Sequence, residues 1–272
     1  MTSHSRMTGE RTVALHCSGA GARQWRRLQE HGAGAIRVIA PDLYGTPDAA
    51  AWSGQHAFSL ADEAERVLSL PDIGNGRFHL VGHSYGGGVA LKLATMVPER
   101  IASLSLYEPS AFHLLHVLGP RGKAAFGDIR QMAGTVADGL VTGDYQAAAR
   151  RFVDYWNGPG SWAALKPDVQ AAMLRYVPKA CLDFHALFEE DTPRSAYGTF
   201  RFPVLIMSGE FAPAPTRVVA EGLSGMIPGA LHARIAGAGH MGPCTHAEAV
   251  NAHILAHIGE AAQQGNVLSE AA

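Results

Sequence analysis

The sequence predicts an α/β fold, in which a mostly parallel, doubly wound sheet of about six strands is interrupted by an inserted helical cap. Short apolar runs alternate with longer, helix-like segments, the pattern of a parallel sheet covered on both faces. This alternation stops between about Pro109 and Phe200. A serine flanked by glycines stands at the junction of a predicted strand and a predicted helix, within Gly82 to Gly86.

Six apolar runs are candidate strands, because each is short and bounded by turn-forming residues. They are Thr12–His16, Ile36–Ala40, Phe78–Val81, Ile101–Tyr107, Pro203–Met207 and Leu231–Ala236. The candidate helices between and after them are Arg23–His31, Leu60–Leu70, Tyr85–Val97, Thr216–Met226 and Thr245–Ile258. Pro98 ends the third helix, and the spacing of Thr245 and Glu248 predicts a capping box at the start of the last one.

The interval between the fourth and fifth strands differs in composition from the rest of the chain. It is rich in aromatic and methionine residues, and Gly-Pro pairs divide it into several helices. We predict a helical cap over residues 110–199 and an α/β core formed by residues 1–109 and 200–272. Most of these aromatic side chains should form the core of the cap. A few should line a pocket, because ligands commonly bind in clefts between modules.

Composition and charge narrow the class of protein. Of the 272 residues, 47% are hydrophobic and 17% charged, as in globular proteins. The 22 basic and 24 acidic residues nearly balance, which argues against nucleic-acid binding. No apolar run reaches the roughly 18 residues of a membrane span, and the first residues lack the apolar segment of a secretory signal. We therefore expect a cytoplasmic protein.

Ser84 has the sequence context of a nucleophile. A G-x-S-x-G turn between a strand and a helix exposes the serine hydroxyl at the top of a sheet, where it can attack a carbonyl carbon. Because this turn is tight, Gly82 and Gly86 are expected to keep side-chain bulk away from neighbouring backbone.

His240 is the predicted base. A serine nucleophile needs a group that takes its proton, a second group that orients this base, and donors for the oxyanion. His240 lies in the glycine-rich segment Ala236-Gly-Ala-Gly-His240, directly after the last predicted strand. A loop at that position can bring the imidazole over Ser84. His83 precedes the serine, so its side chain should point away from the nucleophile and be structural.

These features resemble the α/β-hydrolase superfamily over nearly the whole chain outside the cap. The supporting motifs are Leu15-His16-Cys17-Ser18-Gly19, Ala40-Pro41-Asp42-Leu43-Tyr44-Gly45, the Ser84 turn and the Gly-His240 loop. One departure concerns the sheet. Only 11 residues precede the first predicted strand, so the N-terminal hairpin usual in the superfamily should be reduced or absent.

A second departure concerns the acid of the triad that the resemblance implies. The superfamily commonly carries an aspartate after the strand that ends here in Ile206-Met207-Ser208-Gly209, and this chain has Ala212 at the expected position. Some members carry the acid after the strand that follows the nucleophile's helix, where this chain has Glu108. The resemblance therefore favours Glu108 as the acid, with Glu210 as the alternative.

The resemblance also implies two backbone N–H donors for the oxyanion. One belongs to Tyr85, the residue after the nucleophile, and the other to Ser18 in the loop after the first strand. Cys17 stands where the superfamily usually has glycine. No cofactor is implied. The three widely spaced cysteines and the spacing of the His, Asp and Glu residues do not indicate a metal site.

We therefore expect a cofactor-independent serine hydrolase that cleaves a carboxylic ester or related acyl bond of a small apolar substrate. Epoxide hydrolases and dehalogenases of the superfamily carry aspartate where Ser84 stands, which disfavours those activities. The alternatives are a non-catalytic ligand-binding protein on the same fold, a C–C bond hydrolase and an acyltransferase. The expected partner is a small-molecule substrate, not a nucleic acid or a membrane, and a homodimer is left open.

Overall fold

A parallel sheet organises the molecule, for which a computed structural model describes residues 9–46 and 49–270. The strands are β1 (Glu10–Leu15), β2 (Ile36–Ile39), β3 (Phe78–His83), β4 (Ile101–Tyr107), β5 (Val204–Gly209) and β6 (Leu231–Ile235). Their order in the sheet is β2-β1-β3-β4-β5-β6, and each neighbouring pair is parallel. The predicted fold class is therefore confirmed.

The predicted strands all occur, with ends that differ from the prediction by two residues at most. The expectation of a reduced or absent N-terminal hairpin falls on residues 1–8, which lie outside the described residues. The nucleophile candidate follows β3, which lies between β1 and β4 near the middle of the sheet.

Helices connect the strands and cover both faces of the sheet. They are α1 (Arg26–His31), α2 (Leu60–Ser69), α3 (Tyr85–Met96), α4 (Gly119–Thr142), α5 (Tyr145–Asn157), α6 (Ser161–Ala164), α7 (Pro167–Phe188), α8 (Arg194–Tyr197), α9 (Ala214–Met226), α10 (Gly242–Thr245) and α11 (Ala247–Glu270). Within the described ranges, none of them combines the length and the apolar character that crossing a bilayer requires.

Local sequence explains how α2 begins, and it corrects one prediction for α11. The Ser59 hydroxyl accepts a hydrogen bond from the Asp62 N–H at 3.3 Å, and Asp62 Oδ2 accepts one from the Ser59 N–H at 2.9 Å. This is a capping box. The capping box predicted for Thr245 and Glu248 is wrong, because Thr245 is the last residue of the extra helix α10, which begins at Gly242. The Thr245 hydroxyl donates back to the Met241 carbonyl at 3.1 Å.

The helices α4 to α8 lie between β4 and β5. We call residues 110–199 the helical insertion; its division from the core at these boundaries stays a prediction. Helix α7 packs against α4 and α5 within the insertion, and also against α3, the helix that follows Ser84. The insertion is thereby joined to the part of the sheet that carries the nucleophile candidate.

Two apolar layers lie on opposite faces of the sheet. Successive strand residues point to opposite faces, and accordingly Val13 and Leu80 belong to one buried cluster while Ala14 and Val81 belong to the other. The first layer continues into α3, α9 and the helical insertion. The second is completed by α1 and α11. The carboxyl ends of the strands remain as the edge on which side chains from several turns can meet.

Candidate active site

Ser84 lies at the turn from β3 to α3 with φ 55° and ψ −119°, a left-handed conformation that is strained for a residue with a side chain. Neighbouring backbone fixes the turn: the Ser84 N–H donates to the Tyr107 carbonyl at 3.1 Å, and its carbonyl accepts from the Gly87 and Ser110 N–H groups at 2.9 and 3.0 Å. A Cβ added at Gly82 would lie 2.6 Å from the Gly86 oxygen. The turn therefore requires glycine at that position.

Ser84, His240 and Glu108 form a continuous chain of hydrogen bonds. The distance from Ser84 Oγ to His240 Nε2 is 2.9 Å, and that from His240 Nδ1 to Glu108 Oε2 is 2.7 Å. All three residues are buried, with exposed fractions of 5%, 3% and 0% respectively. Because an ionised carboxylate only accepts hydrogen bonds, Nδ1 donates to it and Nε2 is left to accept from the serine hydroxyl.

Glu108 is held by groups from β5 and α9 as well as by His240. Its Oε1 accepts from the Gly209 N–H at 2.9 Å, and its Oε2 accepts from the Thr216 hydroxyl at 2.8 Å. Its φ of 43° is the second positive value at a described non-glycine residue, after that of Ser84. The left-handed backbone and the following Pro109 direct the carboxylate toward the edge of the sheet that carries the histidine.

The alternative acid, Glu210, lies elsewhere. Its Oε2 accepts from the Gly237 N–H at 2.9 Å, its Oε1 is 3.9 Å from the Arg234 guanidinium, and 41% of its side chain is exposed. Ala212, at the position usual for the acid, is buried and carries only a methyl group. The structure thus brings Glu108, and not Glu210, into contact with His240.

Two aromatic rings fix the position of His240. The His83 Nε2–H donates to the His240 carbonyl at 2.8 Å, and the His83 Nδ1 lies 3.1 Å from the side-chain nitrogen of Gln24. Burial lowers the pKa of His83 well below its ordinary value, so the ring is neutral. Its hydrogen bond to the His240 carbonyl fixes the loop that carries His240. From the helical insertion, Trp156 stacks on the His240 imidazole, with ring centroids 4.3 Å apart and an interplanar angle of 28°.

The two predicted oxyanion donors are Ser18, which lines the cavity with Ser84, and Tyr85, which directly follows Ser84 in the chain. Tyr85 is the first residue of α3, whose first-turn N–H groups have no partner within the helix. Ser18 follows Cys17, whose N–H donates to Gln24 Oε1 at 3.1 Å. Neither the Ser18 nor the Tyr85 N–H has an acceptor among the residues that the structure describes. Burial raises the pKa of the Cys17 thiol, so the thiol stays protonated and is a poor nucleophile.

A cavity of about 400 Å³ opens above Ser84, between the sheet edge and the helical insertion. Its polar lining includes Ser84, His240, Ser110 and Asp183, and most of its remaining surface is apolar. The apolar residues of the insertion that line it are Phe112, Phe152, Val153, Trp156, Ala164, Leu165, Val169, Met173, Phe184 and Leu187. In the described part of the chain, no lysine or arginine lines this cavity, and no cluster of His, Cys, Asp and Glu could hold a metal ion.

Sequence reasoning missed several residues of this site. Ser110 lies with its Oγ 3.4 Å from that of Ser84, and its position two residues after Glu108 was an available signal. Trp156 and Asp183 come from the helical insertion, and Thr216 comes from α9. No local pattern distinguished these three from ordinary packing residues, because their roles depend on contacts between distant segments.

A parallel sheet with a serine at the β3–α3 turn, together with a histidine and a glutamate from two other strand ends, defines a protein of the α/β-hydrolase class. The sequence model described as "Alpha/beta hydrolase family" matches residues 13–253. The chain belongs to this family.

Among curated proteins, the chain is 30% identical over 167 residues to Lipase LipV of Mycobacterium tuberculosis, a match that covers 60% of this chain and 56% of that protein. It is 38% identical over 105 residues to the 2-hydroxy-6-oxononadienedioate/2-hydroxy-6-oxononatrienedioate hydrolase of Burkholderia vietnamiensis, covering 36% and 35% respectively. The chain thus spans about half or less of the length of these two relatives.

Among solved structures, a hydrolase from Pseudomonas aeruginosa PA01 is similar with a TM-score of 0.73 at 24% identity, covering 92% of this chain and 90% of that one. The enol-lactonase from Burkholderia xenovorans LB400 is similar with a TM-score of 0.71 at 19% identity, covering 95% and 94%. At these identities the likeness concerns the fold.

Proposed function

We propose that the protein is a cofactor-independent serine hydrolase that cleaves a carboxylic ester or a related acyl bond of a small apolar substrate. The observation that carries this proposal is the hydrogen-bonded chain from Ser84 through His240 to Glu108, which opens into the cavity. The match to a lipase over part of the chain supports ester chemistry.

In the first half of the reaction, Ser84 Oγ attacks the acyl carbon while His240 Nε2 takes the hydroxyl proton. Glu108 accepts the hydrogen bond from Nδ1, which keeps the tautomer correct and stabilises the imidazolium. The face of Trp156 adds a favourable interaction with the charged ring. The backbone N–H groups of Ser18 and Tyr85 bind the oxygen that becomes negative in the tetrahedral intermediate.

When the intermediate collapses, the C–O bond to the alcohol breaks and His240 returns its proton to the leaving oxygen. The acyl group is then bound to Ser84. A water molecule attacks the acyl carbon while His240 takes one of its protons, and the carboxylic acid leaves as the serine hydroxyl is restored. Each half of the reaction uses the same histidine and the same oxyanion donors.

The size and the apolar lining of the cavity favour a substrate with an apolar acyl or alcohol group. A volume of about 400 Å³ lies within the range of small-molecule sites, and the insertion supplies an aromatic and aliphatic wall. Some partial relatives are named as hydrolases of 2-hydroxy-6-oxononadienedioate and 2-hydroxy-6-oxononatrienedioate, and cleavage of a C–C bond is the second candidate. The absence of lysine and arginine from the described lining argues against a substrate with carboxylates, because buried charges require partners.

The proposal is tested with p-nitrophenyl esters of increasing acyl length, measuring kcat and KM for the wild type and for Ser84→Ala. We expect hydrolysis by the wild type, a preference for acyl chains longer than acetyl, and loss of hydrolysis in Ser84→Ala. Ser110→Ala is the matched control, because it removes a second hydroxyl 3.4 Å from the first. It should retain most of the activity.

The other outcomes separate the alternatives. Tight ligand binding without turnover would favour a non-catalytic binding protein. Ester products that appear only when an alcohol is added would favour an acyltransferase. Equal loss of activity in Ser84→Ala and Ser110→Ala would contradict the assignment of Ser84 as the nucleophile.

A further inference from the structure

A buried polar cluster joins the helical insertion to the active-site edge of the sheet. Helix α7 contributes Tyr176, Lys179 and Asp183, and the core contributes Ser18, Glu63 and Tyr85. We call these six residues the α7 cluster. Five of them are at most 7% exposed, and Ser18 borders the cavity.

Asp183 is the centre of the cluster on the side of the insertion. Its Oδ2 accepts from the Ser18 hydroxyl at 2.6 Å and from the Tyr176 hydroxyl at 2.5 Å. Its Oδ1 is paired with the Lys179 ammonium group. Both carboxylate oxygens of Asp183 therefore have donors from the protein.

The opposite side of the cluster holds Tyr85. Its hydroxyl donates to Glu63 Oε2 at 2.9 Å, and the Lys179 Nζ lies 3.5 Å from the same hydroxyl and 4.6 Å from the centre of the ring. Glu63 also accepts from the Tyr44 N–H at 2.8 Å and lies 3.6 Å from Lys179. Burial raises the pKa of Glu63.

The cluster therefore anchors the side chains of both residues whose backbone N–H groups form the proposed oxyanion hole. Ser18 is tied to it through Asp183, and Tyr85 through Glu63 and Lys179. Donors in an oxyanion hole act through their fixed position, because the benefit depends on dipoles that need not reorganise during the reaction. Contacts that fix the positions of Ser18 and Tyr85 relative to each other would therefore help to keep the two N–H donors in place.

We propose that Asp183 is a positioning residue, which sets the geometry of the oxyanion hole from the helical insertion through its hydrogen bond to Ser18. This inference rests on the proposed hydrolase function. It differs from a purely structural role, in which the buried ion pair would only attach α7 to the core. A structural role predicts changes in stability, whereas a positioning role predicts weaker stabilisation of the transition state at unchanged substrate binding.

The experiment compares two variants that each remove one hydroxyl donor from the same Asp183 oxygen. Ser18→Ala breaks the link to the oxyanion loop, and Tyr176→Phe breaks a link within α7. We expect Ser18→Ala to lower kcat about 10-fold with KM nearly unchanged, a part of the ~10²-fold effect of losing a whole oxyanion donor. Tyr176→Phe should change kcat less than about 2-fold. The affinity for a trifluoromethyl ketone, which forms an oxyanion on the serine, should fall in parallel with kcat, while that for the product acid should not.

A double-mutant cycle completes the test, because it detects whether two residues act through one interaction. Asp183→Ala removes the acceptor of the Ser18 hydroxyl altogether. Asp183→Ala, and Asp183→Ala combined with Ser18→Ala, should therefore show nearly the same kcat, since the same link is lost in both. Multiplicative effects in the double variant would overturn the proposal, as would equal kcat losses in Ser18→Ala and Tyr176→Phe. If Asp183→Ala does not fold, the comparison of the two hydroxyl variants decides alone. Wild-type protein without hydrolase activity would instead remove the proposed function itself.

Discussion

The turns after β4 and β5 each begin with a glutamate, and the two side chains have opposite environments. Glu108 is fully buried and contacts His240 at 2.7 Å, whereas Glu210 is substantially exposed and contacts the backbone of Gly237. Both residues stand one position after the last residue of their strand. Residue type and position along the chain therefore do not explain why they differ.

The place of each strand in the sheet explains the difference. Strand β4 lies between β3 and β5, so its carboxyl end meets the Ser84 turn directly, through the hydrogen bond from the Ser84 N–H to the Tyr107 carbonyl. Strand β5 lies between β4 and the edge strand β6. The N–H groups of both glutamates continue the ladder, since Glu108 bonds the Met207 carbonyl at 2.9 Å and Glu210 bonds the Ile235 carbonyl at 3.0 Å. The Glu210 side chain contacts the turn after β6, through the Gly237 N–H, whereas Glu108 has a positive φ of 43° and contacts His240.

The largest expected effect comes from Glu108→Gln. The amide keeps the size of the side chain but removes the charge that orients His240 and stabilises its imidazolium. We expect kcat to fall by about 10²-fold or more, since loss of the corresponding carboxylate in a triad costs up to ~10⁴-fold. Steady-state kinetics with the preferred p-nitrophenyl ester measure this directly. Full activity in Glu108→Gln would remove Glu108 from the mechanism.

The contrast between the two turns also shows what the sequence could predict. Strand order along the chain, the glycine-flanked Ser84 and the loop of His240 are local signals, and the strand predictions were confirmed on that basis. The choice of Glu108 over Glu210 needed the resemblance to a family, because it depends on which strands are neighbours in the sheet.

Contacts from the helical insertion could not be predicted in this way. Asp183 contacts Ser18 across 165 positions of sequence, and Trp156, which lies on α5, stacks on the His240 ring. The sequence gives the identity of these two residues. Their contacts with Ser18 and His240 depend on how the helices of the insertion pack, which a single sequence does not reveal. The prediction of a capping box at Thr245 failed for a related reason. Thr245 is the last residue of the preceding helix α10, and its hydroxyl donates to the Met241 carbonyl.

A second prediction moves the acid from one turn to the other. Ala212 occupies the position after β5 that carries the acid in most of the superfamily, so Ala212→Asp in the Glu108→Gln background should restore part of the orientation of His240. We expect a recovery of about 10-fold in kcat over Glu108→Gln alone, within the ~10⁴-fold span available to such a carboxylate. Ala212→Asn in the same background is the matched control and should give no recovery. Equal rates for the aspartate and asparagine variants would show that the β5 turn cannot reach the histidine.

A smaller effect is expected from Thr216→Val, which removes the hydroxyl donor to Glu108 Oε2 while keeping the shape of the side chain. Glu108 keeps the Gly209 N–H and His240, so kcat should fall only several-fold. Because the lost hydrogen bond is buried and charged, the free energy of unfolding should fall by about 1.5–3 kcal/mol. Urea unfolding and kinetics on the same protein samples separate the two effects. Thr216→Ser retains the hydroxyl and should restore the activity.

The smallest effect belongs to Glu210→Gln. Its carboxylate is partly exposed, its nearest cation is 3.9 Å away, and the Gln side chain can still accept from the Gly237 N–H. Exposed ion pairs contribute about 0–1 kcal/mol, so we expect kcat within about 2-fold of the wild type and a similarly small change in stability. A loss of kcat in Glu210→Gln comparable with that in Glu108→Gln would mean that the outer turn acts on His240 as well. In that case the position of a strand in the sheet would not be what separates the two glutamates.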